Sequence, residues 1–208
     1  MAMTEASMMI EWYQDYIREL ASRAQRLKER SNLGARFLHR TFANFDPRLD
    51  RTAFNSCSAY AEREGLFTDK RNSLLILGGY GSGKTHLAAA IANNLTQKGI
   101  PVLFGTFSEH LEHIREEFDT NGKRKYLSMM KTVSMLVIDD LGKEKKTEWS
   151  EQILFDVINY RYEHLLPFVL TTNMDEAALG NYIGGAVYSR MCEMCTAVKT
   201  AGRDHRQS

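Results

Sequence analysis

Three cysteines in 208 residues, Cys57, Cys192 and Cys195, are too few and too unevenly placed to frame a secreted disulfide scaffold. The expected setting is a reducing cytoplasm. No apolar run approaches the roughly 18 residues that would suggest a bilayer span. The N-terminus carries acids where a signal peptide would carry a basic region and a long apolar stretch, so no membrane association is expected. Charge of one sign is lacking too: the formal net charge is +1, so any basic surface that meets nucleic acid has to be local. Internal repeats and low-complexity segments are absent. What is there, 43% hydrophobic and 25% charged residues, suffices for one substantial core with at most a small appendage.

Residues 8–27 place Met9, Tyr13, Tyr16, Ile17, Leu20, Ala24 and Leu27 at helical spacing between charged residues. This predicts one amphipathic helix, stopped near Ser31, Asn32 and Gly34. It either packs on its own domain or binds a partner. The stretch "RFLHRTFANFDP" follows, its aromatics reading as anchors and Pro47 as a boundary. The expected division is therefore 1–46, an N-terminal helix and linker, and 47–208, the main domain. Apolar runs at 74–78, 101–106, 134–140 and 167–173 read as buried strands of a parallel sheet, with 196–200 as a candidate fifth. Helical patterns at 84–97, 107–118 and 149–164 fill the gaps, which predicts a three-layer α/β fold with right-handed crossovers.

Between the first run and the first of these helices lies "GGYGSGKT". Gly78, Gly83, Lys84 and Thr85 complete the pattern G-x-x-x-x-G-K-S/T. Glycines let backbone N–H groups converge on phosphate oxygens at a helix N-terminus, Lys84 brings a mobile positive charge, and Thr85 offers a hydroxyl to Mg²⁺. The phosphate loop is expected to comprise Gly78, Gly79, Tyr80, Gly81, Ser82, Gly83, Lys84, Thr85 and His86, with ATP and Mg²⁺ as cofactors. "MLVIDD" then delivers Asp139 and Asp140 at a strand end, about 50 residues on. Asp139 would assist Mg²⁺, and Asp140 would orient or deprotonate the attacking water. "VLTTN" ends the next strand with Thr171, Thr172 and Asn173, where an amide could reach a γ-phosphate or the water.

Strand ends bearing GKT, DD and TTN, followed by an arginine in a helix, stand in the order of an AAA+ ATPase. Taken together, "GSGKTHLAAAIANNL", "LVIDDLG", "TTNM", "SRM" and "GRDHR" resemble the DnaC/DnaI-type replicative helicase loaders and the related IstB-type transposition ATPases. The resemblance runs from about "TFANF" to the C-terminus. It implies a P-loop NTPase of AAA+ type with a central parallel sheet, preceded by the N-terminal amphipathic helix. By the same resemblance Asn173 is the sensor 1 residue, Arg190 the arginine finger reaching a neighbouring subunit's ATP, and Arg206 the sensor 2 arginine. A cation supplied across an interface ties hydrolysis to assembly, so a homo-oligomer is implied and an isolated monomer should be a poor ATPase. Where the wider AAA+ pattern has glutamate, this chain has the shorter Asp140, which fits ATP acting chiefly as an assembly switch.

In the loader family the region from Thr106 to Thr132 carries a helical insertion that faces single-stranded DNA. Lys123, Arg124 and Lys125 beside Tyr126 would suit such a surface, or form an ordinary solvated loop; "GKEKK" (142–146) is a second candidate with the same two readings. Cys192 and Cys195 lack a second ligand pair for a structural zinc, so both are expected to pack in the helix after Arg190. Some loader relatives carry a cysteine-containing zinc module ahead of the ATPase domain, and nothing before Cys57 could supply one. Either the N-terminal helix contacts the partner, or the chain is a fragment. Three functions follow: loading a replicative helicase onto single-stranded DNA, helping transposition on duplex DNA, or phosphorylating a small molecule. The chain offers TTN and a distal SRM rather than an acceptor pocket with an arginine-bearing lid, which counts against the third. The second shares nearly every motif with the first, so only the partner distinguishes them; loading is the expected function, with transposition help as the alternative.

Overall fold

The computed structural model describes residues 18, 19, 22, 25–120 and 125–201, with the backbone alone for 118–120. Most of the helix expected over residues 8–27 lies outside the described residues. Residues 25–30 are helical, and Asn32, with φ at 59°, ends them where the sequence places the stop.

Among the described residues five strands form one sheet: β1 (Ser73–Leu77), β2 (Val102–Thr106), β3 (Met135–Leu141), β4 (Phe168–Thr172) and β5 (Cys195–Lys199). Their order is β2-β3-β4-β1-β5, and every pairing is parallel. The helices are α1 (Arg51–Glu62), α2 (Lys84–Gln97), α3 (Phe107–Thr120), α4 (Lys125–Thr132), α5 (Glu148–Glu163), α6 (Glu176–Ile183) and α7 (Gly185–Met194). The continuous apolar runs become legible in the packing, because successive strand residues point to opposite faces and both faces are covered. Leu75, Leu77, Leu136, Ile138, Phe168 and Leu170 enter a core with α3 to α7. Leu74, Ile76, Met135, Val137 and Val169 enter a second core with α1 and α2.

That second core reaches further back than residue 47. Leu33 and Phe45 are buried in it, and Phe37, Leu38 and Phe42 pack against it. Phe37 lies 5.6 Å from Phe104 and Phe45 stacks on Phe54 at 5.8 Å between ring centroids. The main-chain N–H of Phe104 donates to Ser31 O, fastening the segment to the sheet. The aromatics expected as anchors are anchors, and they attach residues 31–46 to the second core and the edge of the sheet.

One expectation is corrected at the C-terminal side. Cys192 and Cys195 do not both pack in the helix after Arg190: Cys192 is exposed on α7, whereas Cys195 is buried as the first residue of β5. The helix ends because Cys195 turns extended to pair with Ser73. Among the described residues no cluster of three or more His, Cys, Asp or Glu could hold a metal, and no helix is long and apolar enough to cross a membrane.

Candidate nucleotide-binding site

The turn after β1 is shaped by close approaches that only glycine permits. A Cβ at Gly78 would stand 2.0 Å from Thr200 Oγ1, and Gly83 adopts φ 90° with Phe45 Cε2 only 2.9 Å from where its Cβ would be. Thr200 closes the far side, its hydroxyl 2.6 Å from Ser82 Oγ, and Ser82 Oγ lies 2.9 Å from Gly79 O. Helix α2 then begins at Lys84 with no side-chain cap, whereas α1, α5 and α6 are capped by Asp50, Thr147 and Asp175. An uncapped first turn leaves N–H donors and the positive end of the helix dipole facing the turn, which suits an anion.

The acids arrive from β3, and strict strand alternation would send only one of them to this side. A β-bulge changes that. Ile138 pairs with Leu170 and Leu141 with Thr172, so two residues, Asp139 and Asp140, oppose the single Thr171. Asp140 takes φ 54°, a left-handed conformation that aspartate tolerates better than most residues. Thr171 fastens the bulge: its hydroxyl donates to Asp139 Oδ1 at 2.6 Å and accepts from the Asp140 N–H at 2.9 Å. Thr85 Oγ1 donates to the Asp139 carboxylate at 3.0–3.1 Å. Burial pushes the Asp139 carboxyl up to about 6, against the opposing pull of the Thr171 hydrogen bond. Asp140 is ion-paired with Lys143. From the end of β4, Asn173 Oδ1 accepts from Lys84 Nζ at 2.8 Å, and Gly79 O accepts from the same ammonium at 2.7 Å.

Tyr80 to His86, Asp139, Asp140 and Asn173 thus line one cavity of about 330 Å³. Gly78 and Gly79 shape its loop. Thr85 and Asp139, a hydroxyl and a carboxylate already in contact, form the oxygen donor set that suits Mg²⁺, which takes few protein ligands and completes its shell with phosphate oxygens and water. Arg190 is not among the lining residues. Its guanidinium rests over Phe155 and Tyr162 of α5 at 5.5 and 5.6 Å, and Nη1 donates to Ala186 O. Arg206, Lys123 and Arg124 lie outside the described residues; Lys125 opens α4, exposed and away from the cavity. In the "GKEKK" stretch, Lys146 pairs with Glu151 and donates to Tyr182 O, and Lys143 is held by Asp140.

Sequence reasoning missed Arg36, Phe37, Arg40, Thr106 and Lys143, which also line the cavity, and Thr200, which closes the loop. Lys143, three residues past the second acid, was the one with a readable signal.

The sequence matches the family of IstB-like ATP binding proteins over residues 2–208. The chain belongs to that family. Among relatives of this IstB-like chain, phage-like element PBSX protein XkdC of Bacillus subtilis is 32% identical over 72% of the chain and 58% of its own length. A putative ATP-binding protein of insertion sequence IS5376 from Geobacillus stearothermophilus is 35% identical over 67% of the chain and 56% of its own. The replicative helicase loader DnaC of Escherichia coli K12 is 28% identical, covering 82% and 70%. The chain therefore spans somewhat under two thirds of the first two of these relatives. In three dimensions the DnaC helicase loader crystal structure superposes with a TM-score of 0.72 at 24% identity, over 81% of this chain and all of that one. AMPPCP-bound DnaA from Aquifex aeolicus gives 0.68 at 21%, covering 82% of this chain and 51% of that one. The fold is that of an AAA+ P-loop NTPase.

Proposed function

We propose that this protein binds and hydrolyses ATP with Mg²⁺ and uses the cycle to load a replicative DNA helicase onto single-stranded DNA. The observation that carries the ATP reading is the convergence of Lys84, Thr85, Asp139, Asp140 and Asn173, from three adjacent strand ends, on one cavity. Lys84 and the first-turn N–H groups of α2 bind the phosphate tail. Thr85 and Asp139 hold the metal ion, which would supply charge neutralisation for phosphoryl transfer. Asp140 orients the attacking water once Lys143 releases it, and Asn173 positions that water or the γ-phosphate. Arg190, outside its own chain's cavity, serves the site of an adjoining copy, which ties turnover to assembly. Residues 1–46 carry the partner contact, and the α3–α4 region with Lys123, Arg124 and Lys125 faces the DNA.

The DnaC match extends over more of both chains than the insertion-sequence match, which favours loading. The higher identity to the IS5376 protein is what keeps a second reading, assembly on duplex DNA in support of transposition. The test is ATP turnover by the purified protein, alone and with single-stranded or duplex DNA, with light scattering on the same samples and Lys84→Ala as the non-binding reference. Stimulation and assembly on single strands support loading, and preference for duplex supports the transposition reading. Turnover indifferent to DNA in a monomer sinks both and points to a small phosphate acceptor.

A further inference from the structure

Three residues of the cavity lining, Arg36, Phe37 and Arg40, come from residues 34–41, a turn that no motif of the ATPase pattern includes. Main-chain bonds from Phe37 and Leu38 to Gly34 O, and from Arg40 to Phe37 O, wind this turn so that Arg36 and Arg40, four residues apart, both line the cavity. Three contacts fix it to α2 and β2. The buried Asn93 amide donates to both Phe37 O and Arg40 O, at 2.9 and 2.8 Å. The Phe37 ring packs on Phe104. His86 Nε2 lies 3.0 Å from Thr41 O, and since a carbonyl only accepts, Nε2 carries the proton and Nδ1 is left to accept. Arg40 Nη1 stands 3.4 Å from that Nδ1.

Arg36 is exposed and Arg40 half-buried. Neither makes an ion pair with another described residue. The cavity lining holds four cations, Arg36, Arg40, Lys84 and Lys143, against two carboxylates, Asp139 and Asp140. That excess of positive charge, presented by planar forks on a turn already immobilised, matches the anionic oxygens of a polyphosphate. Resting on the ATP reading above, we propose that Arg36 and Arg40 are phosphate ligands of the chain's own nucleotide site, held in place by Asn93 and His86.

Calorimetric titration of the full chain with Mg·ATP and Mg·ADP tests this on Arg40→Gln, Arg40→Lys and the Arg36→Gln/Arg40→Gln pair, each first checked for an unchanged melting temperature. Arg40→Gln should weaken nucleotide binding by about tenfold and the double variant by more. Arg40→Lys, which keeps charge but loses the fork, should fall between Arg40→Gln and wild type. The salt dependence of the double variant should be shallower than that of wild type. Wild-type affinity and salt slope in the double variant, with Lys84→Ala still defective, would overturn the assignment while leaving the ATP site standing. Loss of single-stranded DNA binding with intact nucleotide binding would overturn it too, giving the arginines to the nucleic-acid backbone. Absence of nucleotide binding by wild type itself would remove the ATP reading and this inference together.

Discussion

Replacing Thr171 by valine keeps the shape of a fully buried side chain and deletes one hydroxyl that does two jobs. The first loss is a hydrogen bond to the Asp139 carboxylate, of the charge-assisted kind that contributes about 1.5–3 kcal/mol. The second leaves the Asp140 N–H without its acceptor in the bulge, which costs about 1–3 kcal/mol for a buried donor. Allowing for partial rehydration of Asp140, Thr171→Val should destabilise the apo protein by about 2–4 kcal/mol. For a chain of this size that is roughly 4–16 °C in melting temperature. The deletion also removes the hydrogen bond that holds the Asp139 carboxyl down against burial, so its titration, already near 6, should move higher. Thermal and urea unfolding measure the first effect; the pH midpoint of Mg·nucleotide binding measures the second. Thr171→Ser, which keeps the hydroxyl, should recover most of both. If Thr171→Val melts with wild type and its pH midpoint does not move, the bulge is not fastened by this hydroxyl and the account of the acid pair is refuted.

In the wild type the raised Asp139 carboxyl means the apo fold is favoured by protonation, a contribution present below about 4 and lost as pH rises through about 6; metal binding needs the carboxylate, so Mg·nucleotide affinity should climb over that same window and level off above it, as titrations between pH 5 and 8 would show. Arg190→Ala should leave nucleotide affinity unchanged and remove DNA- or assembly-stimulated turnover; undiminished turnover would leave Arg190 only its packing on Phe155 and Tyr162. Arg161 is fully buried and its guanidinium donates to four backbone carbonyls, of Met130, Lys131, Ser134 and Pro167, at 2.5–3.3 Å. Arg161→Met strands those carbonyls and should cost about 3–5 kcal/mol in urea unfolding, with nucleotide affinity intact where the variant is folded.

The parts of this molecule that depend on local pattern were readable from the chain. Strands expected at 74–78, 101–106, 134–140 and 167–173 begin and end within one residue of β1 to β4, because a strand buried on both faces is an unbroken apolar run bounded by polar residues. The helix expected at 84–97 matches α2. Cys195 was misplaced because a period of 3.6 continues through Met194 without a stop signal; pairing with Ser73, more than a hundred residues away, ends that helix. The bulge escaped notice because two adjacent aspartates look the same whether the strand is regular or not. Arg36 and Arg40 reach the cavity on a turn held by Asn93, Phe104 and His86, contacts made across 46 to 67 residues of chain. No local signal could place them there.

The position of that turn bears on how the proposed activities would communicate. Arg36, Phe37 and Arg40 line the cavity and belong to the same 1–46 segment in which the partner contact is proposed, and Ser31 is hydrogen-bonded to the edge strand β2. If nucleotide phosphates draw on Arg36 and Arg40, then whatever a partner does to this segment alters nucleotide affinity, and linkage requires that nucleotide alter partner affinity by the same factor. A partner that pulled the turn from Asn93 would weaken nucleotide binding; one that bound it in place would strengthen it. Measuring nucleotide affinity with and without the helicase, in wild type and in the double arginine variant, separates this route from any other: the coupling should shrink toward none when the two arginines are gone, whereas coupling that persists at full size must run through a different part of the chain.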